Sequence, residues 1–248
     1  MMNTTRYIHR TEVTSTNTYV KELLQAGVEL PDITLVSADF QSGGRGQRGN
    51  SWESAKGENL TFSIVCHPHG IKACRQFVLS QAIALAVCDT VGEYIDHVTV
   101  KWPNDIYWHD RKLCGILIEC TLSGDEIRDC IIGVGLNVNQ TTFTSDAPNP
   151  VSLAQIIGFS LNRDMLLRGI ADAFSTLYDQ LQAGKADEIE SAYKQRLYRR
   201  EGFYRYQEPG GDEFDAEIVD VESSGHLVLS TQDGVIRKYE FKEVKFII

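Results

Sequence analysis

Gln41-Ser-Gly-Gly-Arg-Gly-Gln-Arg-Gly-Asn-Ser-Trp52 is the stretch around which this chain is organised. It holds four of the 20 glycines and two arginines. The apolar run Ile33–Phe40 before it reads as a strand. Leu60–Cys66 after it alternates apolar and polar residues, which is the period of a second strand. Glycines this close together let backbone N–H groups turn inward, and Arg45 and Arg48 add fixed positive charge. Such a concavity suits an anion, with phosphate the first candidate.

Within the loop, Gly44-Arg-Gly-Gln-Arg-Gly49 matches the dinucleotide pattern G-x-G-x-x-G. That pattern works only where a helix N-terminus follows the last glycine and faces the pyrophosphate. Here Asn50–Gly57 leads into a strand with no helical period, so a nicotinamide site is rejected. The NTPase phosphate loop fails as well, because Asn50 stands where its lysine belongs. A glycine-rich surface hairpin without a ligand is the plain alternative, and two arginines and a tryptophan argue against it.

The 248 residues suffice for one large domain, or one large and one small. A net charge of -10 counts against a general nucleic-acid binder, so the cations that matter must form local islands. No stretch is long and apolar enough to span a bilayer, and the N-terminus lacks the apolar core of a signal peptide. The chain therefore reads as cytoplasmic, without membrane or nucleic-acid partners. Of the six cysteines, Cys66, Cys88, Cys114 and Cys130 sit in apolar runs and read as small buried hydrophobes.

Along the chain, Arg6–Arg10 is a short strand and Thr14–Gln25 contains a helix with Tyr19, Val20, Leu23 and Leu24 on one face. Ser15-Thr-Asn17 lies at its start, where an N-cap is the favoured role and a polar ligand group the alternative. His67-Pro-His69 reads as a solvated turn rather than half a metal site. Ala73–Ile95 is the longest helical pattern. Val98–Trp102, Ile106–Trp108, Lys112–Glu119 and Ile127–Asn139 follow as strands of a meander, with helices expected on one side. A β-turn explains Asn104 and Asp105, but not why Lys101 and Lys112 bracket it. Gly133 and Gly135 alternate along their strand and leave one face bare. Either a ligand approaches there, with Asn137 beside it, or the bareness marks a bulge or a packed helix. Ser152–Ile157, a helix capped by Asp164 and ending near Ala183, and a helix over 187–199 come next. From Gly202 short strands alternate with turns. Residues 1–200 and 201–248 are thus expected as two domains, the second a small all-β unit. The fold class is α+β: a mainly antiparallel sheet with helices packed on it.

Ser15-Thr-Asn17, Gln41 to Trp52, Lys101-Trp-Pro-Asn-Asp105, Arg111-Lys-Leu-Cys-Gly115 and Gly133-Val-Gly-Leu-Asn137 together resemble a biotin protein ligase, in the family's order and at about its spacing. The resemblance is strong over residues 10 to 140. The last fifty residues are similar, more loosely, to the family's SH3-like β-barrel. The resemblance implies an enzyme that joins biotin to ATP as biotinyl-5′-adenylate and passes the biotinyl group to a lysine of a biotin carboxyl carrier domain. It implies that Ser15, Thr16, Asn17 and Gln41 bind the ureido end of biotin. Arg45, Gly46 and Gln47 would line its tail and carboxylate. Lys112, with Arg45, would act at the reacting carboxylate and α-phosphate. Trp52 and Asn137 would take the adenine, Arg48, Lys101 and Asn104 the phosphates, and Asp105 a Mg²⁺ ion.

Two departures stand out. Many members read Gly-Arg-Gly-Arg across the loop, and here Gln47 replaces the second arginine, which helps hold the adenylate. Ser15-Thr-Asn17 also starts close to residue 1, which leaves no room for the winged helix-turn-helix of some bacterial members, so operator binding is not expected. The rival readings are a lipoate protein ligase and a nucleotide-binding regulatory protein without transfer chemistry. A free sheet edge is open to homodimer formation or to carrier docking.

Overall fold

The computed structural model describes residues 6–145, 147 and 149–248, and the side chain of Arg48 lies outside what it describes. Its first sheet comprises β1 (Tyr7–Val13), β2 (Thr34–Gln41), β3 (Leu60–Cys66), β4 (Val98–Lys101), β5 (Asp105–Trp108), β6 (Arg111–Ser123) and β7 (Glu126–Leu136). Their order is β1-β2-β3-β7-β6-β5-β4. β1 runs parallel to β2, and the other neighbouring strands are antiparallel.

The helices are α1 (Thr16–Gln25), α2 (Phe77–Gly92), α3 (Leu153–Ile157), α4 (Arg163–Gln182) and α5 (Ala186–Gln195). They do not all lie on one side, which corrects the sequence expectation. Leu35, Phe62, Ile64, Cys66 and Ile132 point into the large core shared with α2, α4 and α5. Val36, Val65 and Ile131, one residue out of step with them, meet Val20 of α1 on the opposite face. The two-residue period of a strand makes this split compulsory once β3 is buried on both faces. α2 is buried around almost its whole circumference because α4 and α5 close over the side that the sheet leaves open. α1 is only ten residues long, so it covers one end of its face and leaves the rest uncovered by any helix. That uncovered part is the floor of the site described below.

Several local expectations change. Ser15 occupies the N-cap position of α1 but makes no capping hydrogen bond, so the favoured cap role is wrong. Asn162, not Asp164, caps α4, accepting from the backbone N–H groups of Asp164 and Met165. α5 ends at Gln195, short of the expected Arg199. His67 is not a solvated turn residue. One ring nitrogen lies 2.9 Å from Asp129 and the other 2.9 Å from the Leu30 carbonyl, which ties β3 to β7 and to the segment before β2.

The second sheet contains β8 (Tyr204–Gln207), β9 (Glu213–Val221), β10 (Leu227–Thr231), β11 (Ile236–Tyr239) and β12 (Lys245–Phe246), in the order β11-β10-β9-β8-β12, antiparallel throughout. Tyr206, Leu227, Leu229, Val244 and Phe246 belong to the same apolar core as α2 and the first sheet. The Trp102 indole donates to the Gly225 carbonyl at 2.9 Å across this junction.

Candidate active site

The glycine loop folds as a hairpin. Arg45 and Ser51 form an antiparallel bridge, and a 3-10 turn at Gln47–Gly49 makes the tip. A Cβ at Gly44 would sit 2.6 Å from the Trp52 carbonyl oxygen, so glycine is required for the two arms to approach. No helix follows Gly49, as the rejection of a dinucleotide loop required. The hairpin stands over the open floor of the first sheet and encloses with it a cavity of about 860 Å³, near the upper end of small-molecule pockets. Every expected site residue lines this cavity except Arg48, whose side chain lies outside the described set.

At one end, Ser15, Thr16 and Asn17 are buried at the start of α1. Gln41 Oε1 accepts from the Thr16 backbone N–H at 2.7 Å and from the Thr16 hydroxyl at 3.2 Å. Ser63, in the middle of β3, lies 2.7 Å from the Thr16 hydroxyl and 2.6 Å from Asn17 Oδ1. Asn17 donates in turn to Glu119 at 2.9 Å. Glu119 also pairs with Lys21 at 2.6 Å and Arg45 at 3.4 Å. Burial pushes the Glu119 carboxyl up, but the bonds from Lys21 and Asn17 and the nearby charges outweigh it and hold the group below its ordinary range. The Arg45 guanidinium thus faces Glu119 and Thr18 rather than Lys112. Ser63 and Glu119 escaped the sequence reading. Ser63 had left a trace as one of the two polar positions, with Thr61, in β3.

The bare face of β7 is neither a bulge nor an empty platform. Its register with β3 runs unbroken from Leu136 to Cys130. Asn17 covers Gly133, where a Cβ would meet Asn17 Oδ1 at 2.5 Å. The Trp52 indole covers Gly135 and Gly115, where Cβ atoms would lie 2.5 Å from its Nε1 and 2.9 Å from its Cζ3. Trp52 Nε1 and Asn137 Oδ1 are buried polar atoms with no protein partner, and both line the cavity. Asn137 Nδ2 is already engaged with the Val151 carbonyl at 3.1 Å. The amide therefore offers its oxygen as a free acceptor, and the indole a donor. Buried groups of this kind are costly unless a ligand satisfies them.

Lys112 reaches the cavity because of a register shift between β5 and β6. Ile106 pairs with Cys114 but Tyr107 pairs with Lys112, so Leu113 is the extra residue of a bulge. The bulge turns Lys112 to the face that carries Gly115. The chain after β7 then crosses β6, with the Lys112 N–H donating to Asn149 and its carbonyl accepting from Val151. The Lys112 ammonium lies 2.7 Å from Asp105 and 5.7 Å from the Trp52 ring centroid. Asn104 donates to the Ile116 carbonyl, so its amide nitrogen braces β6. Lys101 stands over the Tyr107 ring, and burial pushes its ammonium below the ordinary lysine range, with Asp105 opposing the shift.

Among the described residues no cluster of three or more His, Cys, Asp or Glu side chains could hold a metal ion. One carboxylate, Asp105, faces the cationic end. That donor set fits Mg²⁺ carried in on a nucleotide's phosphates, which needs one or two protein oxygens and keeps its waters.

The model of the biotin/lipoate A/B protein ligase family matches residues 7–137. The bifunctional ligase/repressor BirA of Salmonella typhimurium is 31% identical over 239 residues, covering 94% of this chain and 71% of its own. The biotin–[acetyl-CoA-carboxylase] ligase of Paracoccus denitrificans is 29% identical, covering 86% of this chain and 90% of its own. The biotin protein ligase of Aquifex aeolicus, solved with biotin and ATP, superposes with a TM-score of 0.79 over 98% of this chain and 99% of its own, at 23% identity. This chain belongs to the biotin/lipoate A/B protein ligase family.

Proposed function

We propose that this protein is an ATP-dependent biotin ligase that charges a biotin carboxyl carrier domain. A carboxylate oxygen of biotin attacks the α-phosphorus of ATP. The bond to the β-phosphate breaks, pyrophosphate leaves, and biotinyl-5′-adenylate remains. The neutral ε-amine of a carrier lysine then attacks the acyl carbon. An amide forms, AMP departs, and the amine's proton is lost to solvent. No covalent enzyme intermediate is needed, so positioning and charge neutralisation can supply most of the acceleration.

The observation that carries this reading is the order of chemistry along one cavity. Ser15, Thr16 and Asn17 form a buried polar cluster with Gln41 beside Gly133, Trp52 covers Gly135 two residues further along β7, and Asn137, Lys112 and Lys101 line the same cavity. In this reading the polar cluster holds the ureido ring. Such a site rejects analogues that leave its groups unpaired. Arg45, Gly46 and Gln47 line the biotin tail. Lys112 neutralises the charge that gathers where carboxylate and α-phosphate meet. The Asn137 acceptor suits an exocyclic amino group, which adenine has. Lys101 and Asn104 hold phosphates, and Asp105 holds Mg²⁺. The ion would neutralise phosphate charge when bound.

Incubation with biotin, Mg-ATP and a carrier domain tests this, with a mass increase of one biotinyl group on the carrier as the expected result. Adenylate formation with lipoate but not biotin would reverse the substrate assignment. Nucleotide binding without biotin-dependent pyrophosphate release would leave only a binder. The carrier's identity and a homodimer through a free sheet edge belong to the same proposal. Sedimentation of the protein, alone and with the carrier, tests the dimer.

A further inference from the structure

Phe246 belongs to β12 in the second sheet, yet its ring serves a residue of the first. The Lys101 ammonium stands 4.8 Å from the Phe246 ring centroid and 5.3 Å from that of Tyr107. Phe246 is 5% exposed and packs edge-on against Tyr206 at 4.9 Å and beside Tyr198 at 6.3 Å. Tyr198 also packs on Tyr107 at 5.4 Å. The two rings flanking the ammonium are therefore parts of one aromatic cluster that joins the two sheets.

A lysine side chain is a flexible four-carbon stem bearing a point charge, and in water it samples many rotamers. An ammonium over ring faces is attracted by the negative face of each ring, more strongly when it is shielded from water. Lys101 meets both conditions and opens onto the cavity. Phe246 and Lys245 of the same strand line that cavity too, so the second sheet forms one of its walls.

We propose that Phe246 is a positioning residue for nucleotide binding: its ring, with that of Tyr107, fixes the Lys101 ammonium toward the phosphates, so the C-terminal sheet sets ATP affinity through Lys101. This rests on the reading that Lys101 binds phosphate. It assigns the last strand a specific task rather than general support.

The test uses the full chain. Phe246→Leu keeps apolar bulk and removes the ring, and Phe246→Tyr keeps the ring. Pyrophosphate release gives KM for ATP and kcat, and calorimetry gives biotin affinity without nucleotide. Phe246→Leu should raise KM for ATP about three- to thirtyfold, leave biotin affinity unchanged, and be reversed by Phe246→Tyr. In a Lys101→Gln background Phe246→Leu should have no further effect, since the ring then has no cation to hold. Should Phe246→Leu not fold, Tyr107→Leu poses the same question from the other ring. Equal losses for ATP and biotin, or an undiminished effect in the Lys101→Gln background, would overturn the inference and leave the ligase reading standing. A wild-type protein that releases no pyrophosphate with biotin and ATP would remove both.

Discussion

Lys112 Nζ lies 2.7 Å from Asp105 Oδ1, and the two side chains come from adjacent antiparallel strands that a bulge has rephased. The ammonium is half-buried and the carboxylate more so, so each partly neutralises the other inside the cavity. Under the proposed function, an incoming phosphate or metal ion would compete for one member of this pair and release the other. In the proposed reaction the pair would hold this charge ready where biotin's carboxylate meets the α-phosphate.

Lys112→Ala should therefore act on rate more than on binding. We expect kcat for biotin-dependent pyrophosphate release to fall about 10²- to 10³-fold, the usual consequence of removing one stabilising group from a charge-developing centre. Nucleotide affinity should change far less. Equal losses in kcat and in ATP affinity would instead favour a nucleotide-binding protein without transfer chemistry.

Gln47 lies at the start of the hairpin's 3-10 turn, uncharged where the family resemblance implies arginine. Gln47→Arg should slow escape of the adenylate about tenfold or more, since hydrogen bonds to charged groups are worth about 1.5–3 kcal/mol. Release of labelled intermediate, measured without carrier, checks it. An unchanged rate removes Gln47 from that role.

Gly135→Ala places a methyl group 2.5 Å from Trp52 Nε1. The indole must move, at an overpacking cost of about 1–3 kcal/mol. Thermal unfolding should show the loss, and tryptophan fluorescence the displacement. Adding Trp52→Ala should recover much of the stability. If stability falls equally with and without Trp52, the indole is not what requires glycine here.

Glu119 makes a pH prediction. Its folded-state carboxyl titrates below the ordinary range, after burial and its stabilising partners are set against each other. A depressed carboxylate contributes stability that is fully present above its unfolded pKa, about 4.3, and is lost as pH falls through the folded value. The wild-type protein should therefore lose stability on acidification below about pH 4.3, and Glu119→Gln should lose less over the same window. Parallel pH profiles for the two proteins would show that Glu119 does not contribute. The variant should also loosen Asn17, Lys21 and Arg45, which all bond this carboxylate.

Much of the fold was legible because its signals are local. An apolar run marked β2, alternation marked β3, alternating glycines marked the bare face of β7, and the apolar stripe of Tyr19, Val20, Leu23 and Leu24 marked α1. Spaced glycines and arginines marked the hairpin, and Lys101 and Lys112 bracketed the turn at Asn104 and Asp105. The capping error at Ser15 has a physical cause: a small polar residue before a helix looks the same whether its hydroxyl turns to the backbone or into a cavity. Helices were assigned to one side of the sheet because periodicity tells which face of an element is apolar, not which side of a sheet receives it.

By itself the sequence determined which strands form, where the polar and cationic groups stand along them, and the family to which the chain belongs, since each depends on residue types at short, fixed spacings. Tertiary structure alone decided the rest. Strict alternation along Lys112–Glu119 would put Lys112 on the side of Cys114 and Ile116, in the core, and a single extra residue at Leu113 turns it into the cavity. Trp52 reaches Gly115 and Gly135, Asn17 reaches Gly133, and Phe246 reaches Lys101 across long stretches of chain. Such meetings depend on how sheets and loops close in space, and no local period records that.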